Sequence, residues 1–292
     1  MVGLGCNNFG RSVDLEGTRA VVDAALDAGV TLLDTADVYG GKGGSESFLG
    51  EVLEGRRDRV VLATKFGQDM GDGTEARGSR AYIHKAIDAS LQRLRTGVVD
   101  LYQYHTPDDV TPFEETFGAL DELVRAGKVR YVGHSNLDAT QIEEVDAICR
   151  EHGFAGPVGA QNQYSLLRRE AEEELLPTCE RLGIGVLPYF PLASGLLTGK
   201  YRRGEPRPEG TRLSDRDSVF TDETFDRLEA LEEFAKERGL TLLQVAIGGL
   251  LAQPAIASVI AGATKPEQVR ANVEAANWEP TAADLAELNS LR

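Results

Sequence analysis

The sequence predicts an α/β fold, a closed (β/α)8 TIM barrel, with residues 1–292 forming one domain. Three observations lead there. Eight short apolar runs alternate with amphipathic helix patterns along 292 residues, and such alternation builds a parallel sheet with right-handed crossovers. The length suits a barrel-sized core. Titratable residues stand at the ends of several runs, where barrel enzymes gather their active sites. An open doubly wound sheet is the alternative. No G-x-G-x-x-G follows an early run, which counts against a Rossmann dinucleotide site.

The runs centre on residues 2–4, 31–34, 60–65, 101–105, 130–135, 158–162, 185–189 and 258–261. After the first, Val21, Ala24, Ala25 and Ala28 share one helix face, with Asp14 as the cap. After the fifth, Asp138-Ala139-Thr140-Gln141 reads as a capping box that turns Ile142, Val145, Ile148 and Cys149 inward. Thr264-Lys265-Pro266-Glu267 starts a helix directly after the last run. Gly40-Gly41-Lys42-Gly43-Gly44 lacks P-loop spacing and reads as a flexible loop. Residues 204–212, rich in Gly, Pro and Arg, follow the seventh run and read as a long functional loop, not a domain boundary.

Composition narrows the function. A net charge of −16 argues against general nucleic-acid binding. No stretch reaches the ~20 apolar residues of a membrane helix. The start, MVGLGCNNFG, has neither the basic stretch nor the apolar run of a signal peptide. Cys6, Cys149 and Cys179 are odd in number and lack paired spacing, so a reducing cytoplasm is expected. His84 and His152 read as surface residues, and His134, at the end of the fifth run, as secondary. With no H-E-x-x-H and no Cys cluster, no metal site is expected.

The chemistry-bearing residues are Asp34 and Tyr39 in LLDTADVYG, Lys65 ending VVLATK, and His105 ending VDLYQYH. Each alone has a plain reading: a turn former, a packing aromatic, a lysine that needs a partner, a loop histidine. Together they can serve carbonyl reduction. Hydride transfer leaves negative charge on the carbonyl oxygen, and a proton must reach it. A free phenol has a pKa of about 10; an ammonium beside Tyr39 is expected to lower it. Lys65 can supply that charge, Asp34 can hold Lys65, and His105 can orient the substrate oxygen.

In order and spacing these four residues resemble the catalytic tetrad of the aldo-keto reductase family: an Asp, a Tyr five residues later, a Lys and a His. The resemblance runs from residue 2 to 272. The segments YFPLASGLLTGKY and GATKPEQVRAN are similar to the bacterial branch related to potassium-channel β subunits. It implies reduction of an aldehyde or ketone, with NADPH favoured over NADH. It further implies that Ser135, Asn136 and Gln161 bond the nicotinamide carboxamide, amides being suited to a group needing donors and acceptors. Tyr189 is the implied stacking partner of the nicotinamide ring. Pro191, Leu192, Ser194 and Gly195 belong to the implied pyrophosphate wrap.

Residues 198–212 follow, with five basic residues (Lys200, Arg202, Arg203, Arg207, Arg212) and two acidic ones, so attraction of phosphate is expected. At the last helix start, Gly262, Thr264, Lys265 and Gln268 are the implied 2′-phosphate site, and Asn272 lies nearer the adenine. Two departures from the family are Ala271, where an acidic residue often stands, and Gln268, where some members carry Arg. A substrate pocket is expected from Phe66 and from residues 68–77 and 106–108. Family members usually begin with ~15–20 residues of hairpin across the barrel base. Here the first strand starts at once, so either the start is misassigned, or another segment covers the base, or the base is exposed, and an exposed apolar patch would favour association. The competing readings are a nicotinamide-binding regulatory subunit with slow turnover, and a barrel isomerase or lyase using Lys65 as a Schiff-base amine.

Overall fold

A computed structural model describes residues 1–213 and 216–291. Its strands are β1 (Val2–Gly5), β2 (Leu32–Asp34), β3 (Val61–Phe66), β4 (Val99–Tyr104), β5 (Val129–Ser135), β6 (Pro157–Gln161), β7 (Gly185–Val186) and β8 (Val259–Gly262). All pairings are parallel, in the order β7-β6-β5-β4-β3-β2-β1-β8. The two ends meet: Val186 bridges Ile256, and the Ile260 N–H donates to the Pro188 carbonyl. The sheet is thereby a barrel. The seventh strand is shorter than the sequence predicts because Pro188 has no N–H to continue the ladder. The Leu187 and Tyr189 N–H groups on either side still reach β6 and the residue after it, at Ala160 and Asn162.

The helices are α1 (Leu15–Asp27), α2 (Tyr39–Lys42), α3 (Gly44–Val52), α4 (Arg80–Arg93), α5 (Phe113–Arg125), α6 (Ala139–His152), α7 (Leu175–Leu182), α8 (Asp222–Glu237), α9 (Leu242–Leu251), α10 (Pro266–Ala275) and α11 (Ala282–Ser290). Their starts follow the local chemistry. The Asp14 carboxylate accepts from the Gly17 N–H at 2.8 Å. Asp138 and Gln141 complete the capping box on α6. Cys149 and Cys179 are buried on α6 and α7. No helix among the described residues is long and apolar enough to cross a membrane.

Strand residues alternate faces, and this alternation sets the site. Leu32, Ala63, Leu101, Leu187 and Ile260 point inward and form an apolar layer inside the barrel. Leu33, Leu62, Tyr102 and Val132 point outward and pack under the helices. Two residues past the inward layer come Asp34, Lys65 and Gln103. A buried polar layer therefore sits on a dry apolar floor. At the other end, near the strand starts, Met1, Val61, Tyr131 and Val158 are exposed.

Gly40–Gly44 is a packed turn and not the loose loop expected. Gly40 and Gly41 have φ of 69° and 74°. A Cβ on Gly40 would lie 2.5 Å from both the Phe9 carbonyl oxygen and the Ser45 nitrogen.

His134 points outward from β5, level with Tyr104 and Ala160 on the adjoining strands. It is fully buried, and neither ring nitrogen has a hydrogen-bond partner. Burial holds its pKa down at about 4, from an ordinary 6.5. Between those values the unfolded chain binds the proton and the folded chain does not, so stability falls as pH falls. His134→Leu removes this dependence. At pH 5 the relief amounts to about 2 kcal/mol, on top of any pH-independent gain. Melting curves at pH 5 and pH 8 should show the variant's advantage widening at the acid end. Equal shifts at both would exclude a buried neutral imidazole here.

Candidate active site

Asp34 ends β2, Lys65 lies one residue before the end of β3, and His105 directly follows β4; all three face the barrel interior. Lys65 is fully buried and Asp34 nearly so. The Lys65 Nζ donates to Asp34 Oδ2 at 2.6 Å and to the Thr35 carbonyl at 2.9 Å. Asp34 Oδ1 accepts from Gln103 Nε2 at 3.1 Å and Gln161 Nε2 at 2.9 Å. A buried charge is tolerable only when paired and hydrogen-bonded, and both partners here are. Burial alone would depress the Lys65 pKa; Asp34 and Tyr39 outweigh it and hold the ammonium above its ordinary value. A lysine held charged against Asp34 is poorly suited to Schiff-base chemistry, which counts against the isomerase reading.

Tyr39 reaches this pair through a turn. Beyond β2 the Thr35 and Asp37 N–H groups continue the ladder to the Ala63 and Lys65 carbonyls. Ser45, at the start of α3, bonds Thr35 Oγ1 and the Cys6 carbonyl, each at 2.8 Å. The Gly40 turn then folds back the chain. The Lys65 Nζ lies 5.0 Å from the Tyr39 ring centroid. The His105 ring meets that of Tyr39 edge-on, with centroids 5.7 Å apart. The tetrad thus comes together as predicted.

Its electrostatics differ from prediction in one respect. Burial around the hydroxyl raises the Tyr39 pKa; Lys65 opposes this but does not overcome it, and Asp34 adds to the rise. The expected net lowering is corrected: the phenol stays protonated at neutral pH. His105 is pushed well below its ordinary pKa by burial and then by Lys65, so its ring is neutral. Its Nδ1 is buried without a partner.

The residues expected to meet a carboxamide form one wall. Ser135 Oγ donates to the Gln161 carbonyl at 2.7 Å. Asn136, at φ 63°, donates to the His105 carbonyl at 2.9 Å and accepts from the Tyr189 hydroxyl at 2.8 Å. Gln161 turns its amide nitrogen to Asp34, so it also braces the carboxylate. Gln103, which the sequence reading missed, does the same. Its signal was the two-residue period: it shares a strand face with His105.

In the loop after β7, Phe190, Ala193, Ser194 and Gly195 have positive φ of 53°, 46°, 58° and 103°. Pro191 and Leu192 lie within this tight turn. The Lys200 Nζ would lie 3.1 Å from a Cβ on Gly195, so the glycine admits the cation. Three of the expected phosphate cations are engaged elsewhere, which corrects the reading of the whole loop as a phosphate magnet. Arg203 meets Asp222, Asp226 and Glu229 at 2.8, 2.5 and 2.9 Å. Arg202 lies 3.5 Å from Glu232, and Arg207 pairs with Asp217. The acidic face of α8 thus neutralises Arg202 and Arg203, and Asp217, ahead of that helix, neutralises Arg207.

Arg212 differs. Its guanidinium lies 5.5 Å from the Phe190 ring centroid and donates to Asn8 Oδ1 at 3.1 Å. Although the residue as a whole is exposed, burial of its head, then Arg11 and Arg216, hold its pKa below the ordinary value. A Cβ on Gly262 would lie 3.7 Å from Asn8 Nδ2, so the loop reaches β8. At the start of α10 the Thr264 N–H and hydroxyl both donate to Gln268 Oε1, at 2.7 and 3.1 Å. Lys265 is the exposed N-cap residue, and Asn272 is buried on the same helix.

Phe66 is not a pocket wall. It is fully buried and stacks on Tyr102 and Tyr104 at 4.8 and 5.2 Å, behind the sheet. Asp108 ties the two expected pocket loops together, accepting from the Gly78 N–H at 2.6 Å and the Thr111 hydroxyl at 2.8 Å. A cavity of about 400 Å³ has Gln163, Arg168, Phe190, Ser194, Arg216 and Arg227 in its lining. None of Asp34, Tyr39, Lys65 and His105 lines it. Among the described residues, no three His, Cys, Asp or Glu side chains gather to hold a metal ion.

A parallel barrel with a buried ammonium–carboxylate pair, a phenol and a neutral imidazole at its strand ends is the framework of an acid–base oxidoreductase. Comparison with known proteins agrees. The model of the Aldo/keto reductase family matches residues 1–292. The chain is 38% identical to the uncharacterized oxidoreductase YrpG of Bacillus subtilis, over 93% of this chain and 86% of that protein. It is 36% identical to L-glyceraldehyde 3-phosphate reductase of Escherichia coli K12, over 93% and 82%. A probable voltage-gated potassium channel subunit beta of Oryza sativa is 35% identical, over 93% and 85%. The chain belongs to the aldo/keto reductase family and is an NAD(P)H-dependent oxidoreductase.

The Gly40 turn gives a test of how Tyr39 is held. Gly40→Ala puts a methyl group against backbone on two sides at a φ that only glycine adopts freely. Left-handed strain alone costs on the order of 1–3 kcal/mol, and the clash adds to it. Chemical denaturation should show at least that loss, whereas Gly41→Ala, with open space around its Cβ position, should lose less. Equal losses would mean that contact with Phe9 and Ser45 does not set the turn.

Proposed function

We propose that this chain reduces an aldehyde or ketone to the alcohol with NADPH, Tyr39 delivering the proton. One observation carries the reading: the Lys65 ammonium, clamped 2.6 Å from Asp34, lies under the Tyr39 ring with neutral His105 at the ring's edge. The reduced nicotinamide, when bound, supplies the hydride. Tyr39 keeps its proton at neutral pH and gives it to the carbonyl oxygen as charge develops there. Lys65 stabilises the phenolate left behind. Asp34 keeps Lys65 charged, while Gln103 and Gln161 hold Asp34 still. His105, being neutral, has one ring N–H to donate, and it orients the oxygen without competing as an acid.

The residues fit the cofactor. Ser135, Asn136, Gln161 and Tyr189 offer the carboxamide and the ring a polar wall and an aromatic face. Pro191, Leu192, Ser194, Gly195 and Lys200 offer the pyrophosphate a tight turn with a cation beside it. Arg212 joins them: its pKa is depressed first by burial and then by Arg11 and Arg216, and an anion placed beside it would offset both. Gly262, Thr264, Lys265, Gln268 and Asn272 form the adenosine end, where Lys265 favours NADPH over NADH. Gln268 Oε1 already accepts from Thr264, so the cation falls to Lys265.

The rice relative's name favours a second reading, a nicotinamide-binding regulatory subunit with slow turnover. An assay with small aldehydes, ketones and sugars separates the two. A short phosphorylated aldehyde belongs in that panel, given the name of the Escherichia coli relative.

Tyr39→Phe should lower carbonyl reduction by roughly 10²–10⁴-fold while NADPH binding, followed by its fluorescence, stays near that of the parent. Turnover equal to the parent's would remove Tyr39 as donor. Lys265→Ala should narrow the preference for NADPH over NADH. A charge-assisted bond is worth roughly 1.5–3 kcal/mol, about one to two decades in the ratio of dissociation constants. A parent protein that binds both cofactors equally would leave this assignment without a basis.

A further inference from the structure

Behind Tyr39 lies a second pair of buried acids that the chemistry above leaves unused. Asp37 is 2% exposed and Glu46 fully buried. Glu46 is well served: Thr64 Oγ1 donates to it at 2.6 Å and Arg93 Nε at 2.7 Å. Asp37 is not: its Oδ1 is buried with no hydrogen-bond partner, and so is the hydroxyl of Tyr102. The groups facing Asp37 are Glu46 on α3, Arg93 and Tyr82 on α4, Lys65 on β3 and Tyr102 on β4. Two acids thus share Arg93, which is bound to Glu46, while Lys65 is committed to Asp34.

A second negative charge in this pocket has no cation of its own. Since Glu46 accepts two strong donors, the proton of the pair belongs on Asp37. Burial and then Glu46 raise Asp37 to about 7, against the opposing pull of Arg93, the Val38 N–H and Lys65. Asp37 is also placed to matter. Its N–H donates to the Lys65 carbonyl at 3.1 Å. Its carboxyl takes a bond from the next residue's N–H, and Tyr39 is two residues on.

We propose that Asp37 is a positioning residue: its protonated carboxyl holds the turn that carries Tyr39 in working position, and loss of that proton lowers turnover. The inference rests on the reading of Tyr39 as proton donor. An ionised Asp37 repels Glu46, and the cheapest relief is movement of the Asp37–Tyr39 turn away from α3. The effect should fall on kcat, because the cofactor-holding residues lie on other strand ends.

The test is the pH profile of carbonyl reduction with NADPH for the parent, Asp37→Asn and Tyr39→Phe. The parent kcat should fall about tenfold or more between pH 6 and pH 9, with a single ionisation near neutrality. Were Tyr39 the source of that limb, Asp37→Asn would leave it in place. Asp37→Asn, which keeps the neutral shape, should retain kcat at pH 6 within about threefold and lose the limb. A purely structural role would lower kcat equally at every pH. An unchanged limb in Asp37→Asn, or no limb in the parent, overturns the proposal. Full activity in Tyr39→Phe overturns the donor reading instead, so the two failures are distinct. Should Asp37→Asn not fold, infrared titration of the parent decides. The C=O stretch of a buried protonated carboxyl should be present at pH 6 and gone by pH 9; its absence at pH 6 overturns the proposal.

Discussion

Every part of the site depends on keeping an ammonium and a carboxylate out of water inside the barrel. Lys65 has no exposed surface, and such a charge survives only against a partner; removing one side of a buried pair typically costs 3–5 kcal/mol, roughly. The surrounding residues answer that demand. The Thr35 carbonyl takes a second bond from the ammonium, and two glutamine amides occupy the other Asp34 oxygen. Below them the layer of Leu32, Ala63, Leu101, Leu187 and Ile260 keeps the pair dry. In this low-dielectric setting the field of Lys65 at Tyr39 and His105 is strong, and it acts on both.

The buried titratable groups divide by direction. His105 and His134 are held neutral and oppose folding once acid must protonate them. Asp37 is held protonated, so the folded chain keeps a proton that the unfolded chain has released between pH 3.8 and about 7, and stability declines as pH rises through that window. The two effects run in opposite directions over nearly the same acid window, between about pH 4 and 7, and offset one another there. A surface with net charge −16 does not create these effects, because exposed charges are screened and buried ones are not.

That same acidic surface decides which arginines remain available near the mouth. Arg202, Arg203 and Arg207 lie across from carboxylates of α8 and Asp217 and pair with them. Arg212 is turned the other way by stacking on Phe190 and bonding Asn8. A basic run in sequence thus becomes a brace on one side and a cation at the barrel mouth on the other.

The sequence by itself determined the alternation of strands and helices, the caps at Asp14, Asp138 and the α10 start, and the placement of Asp34, Lys65 and His105 at strand ends. These are local or periodic properties, and strand ends in a barrel all open on one face. Only the tertiary structure decided which neighbours each group meets. It turned Phe66 behind the sheet, because alternate residues of β3 face opposite ways. It recruited Gln103 and aimed Gln161 at Asp34 across strands that lie far apart in the chain. It made Gly40 a close contact with Phe9 and Ser45, and it raised the Tyr39 pKa where a neighbouring lysine alone implied a fall. Burial, the largest influence on that phenol, comes from chain segments distant in sequence and cannot be read from the residues beside it.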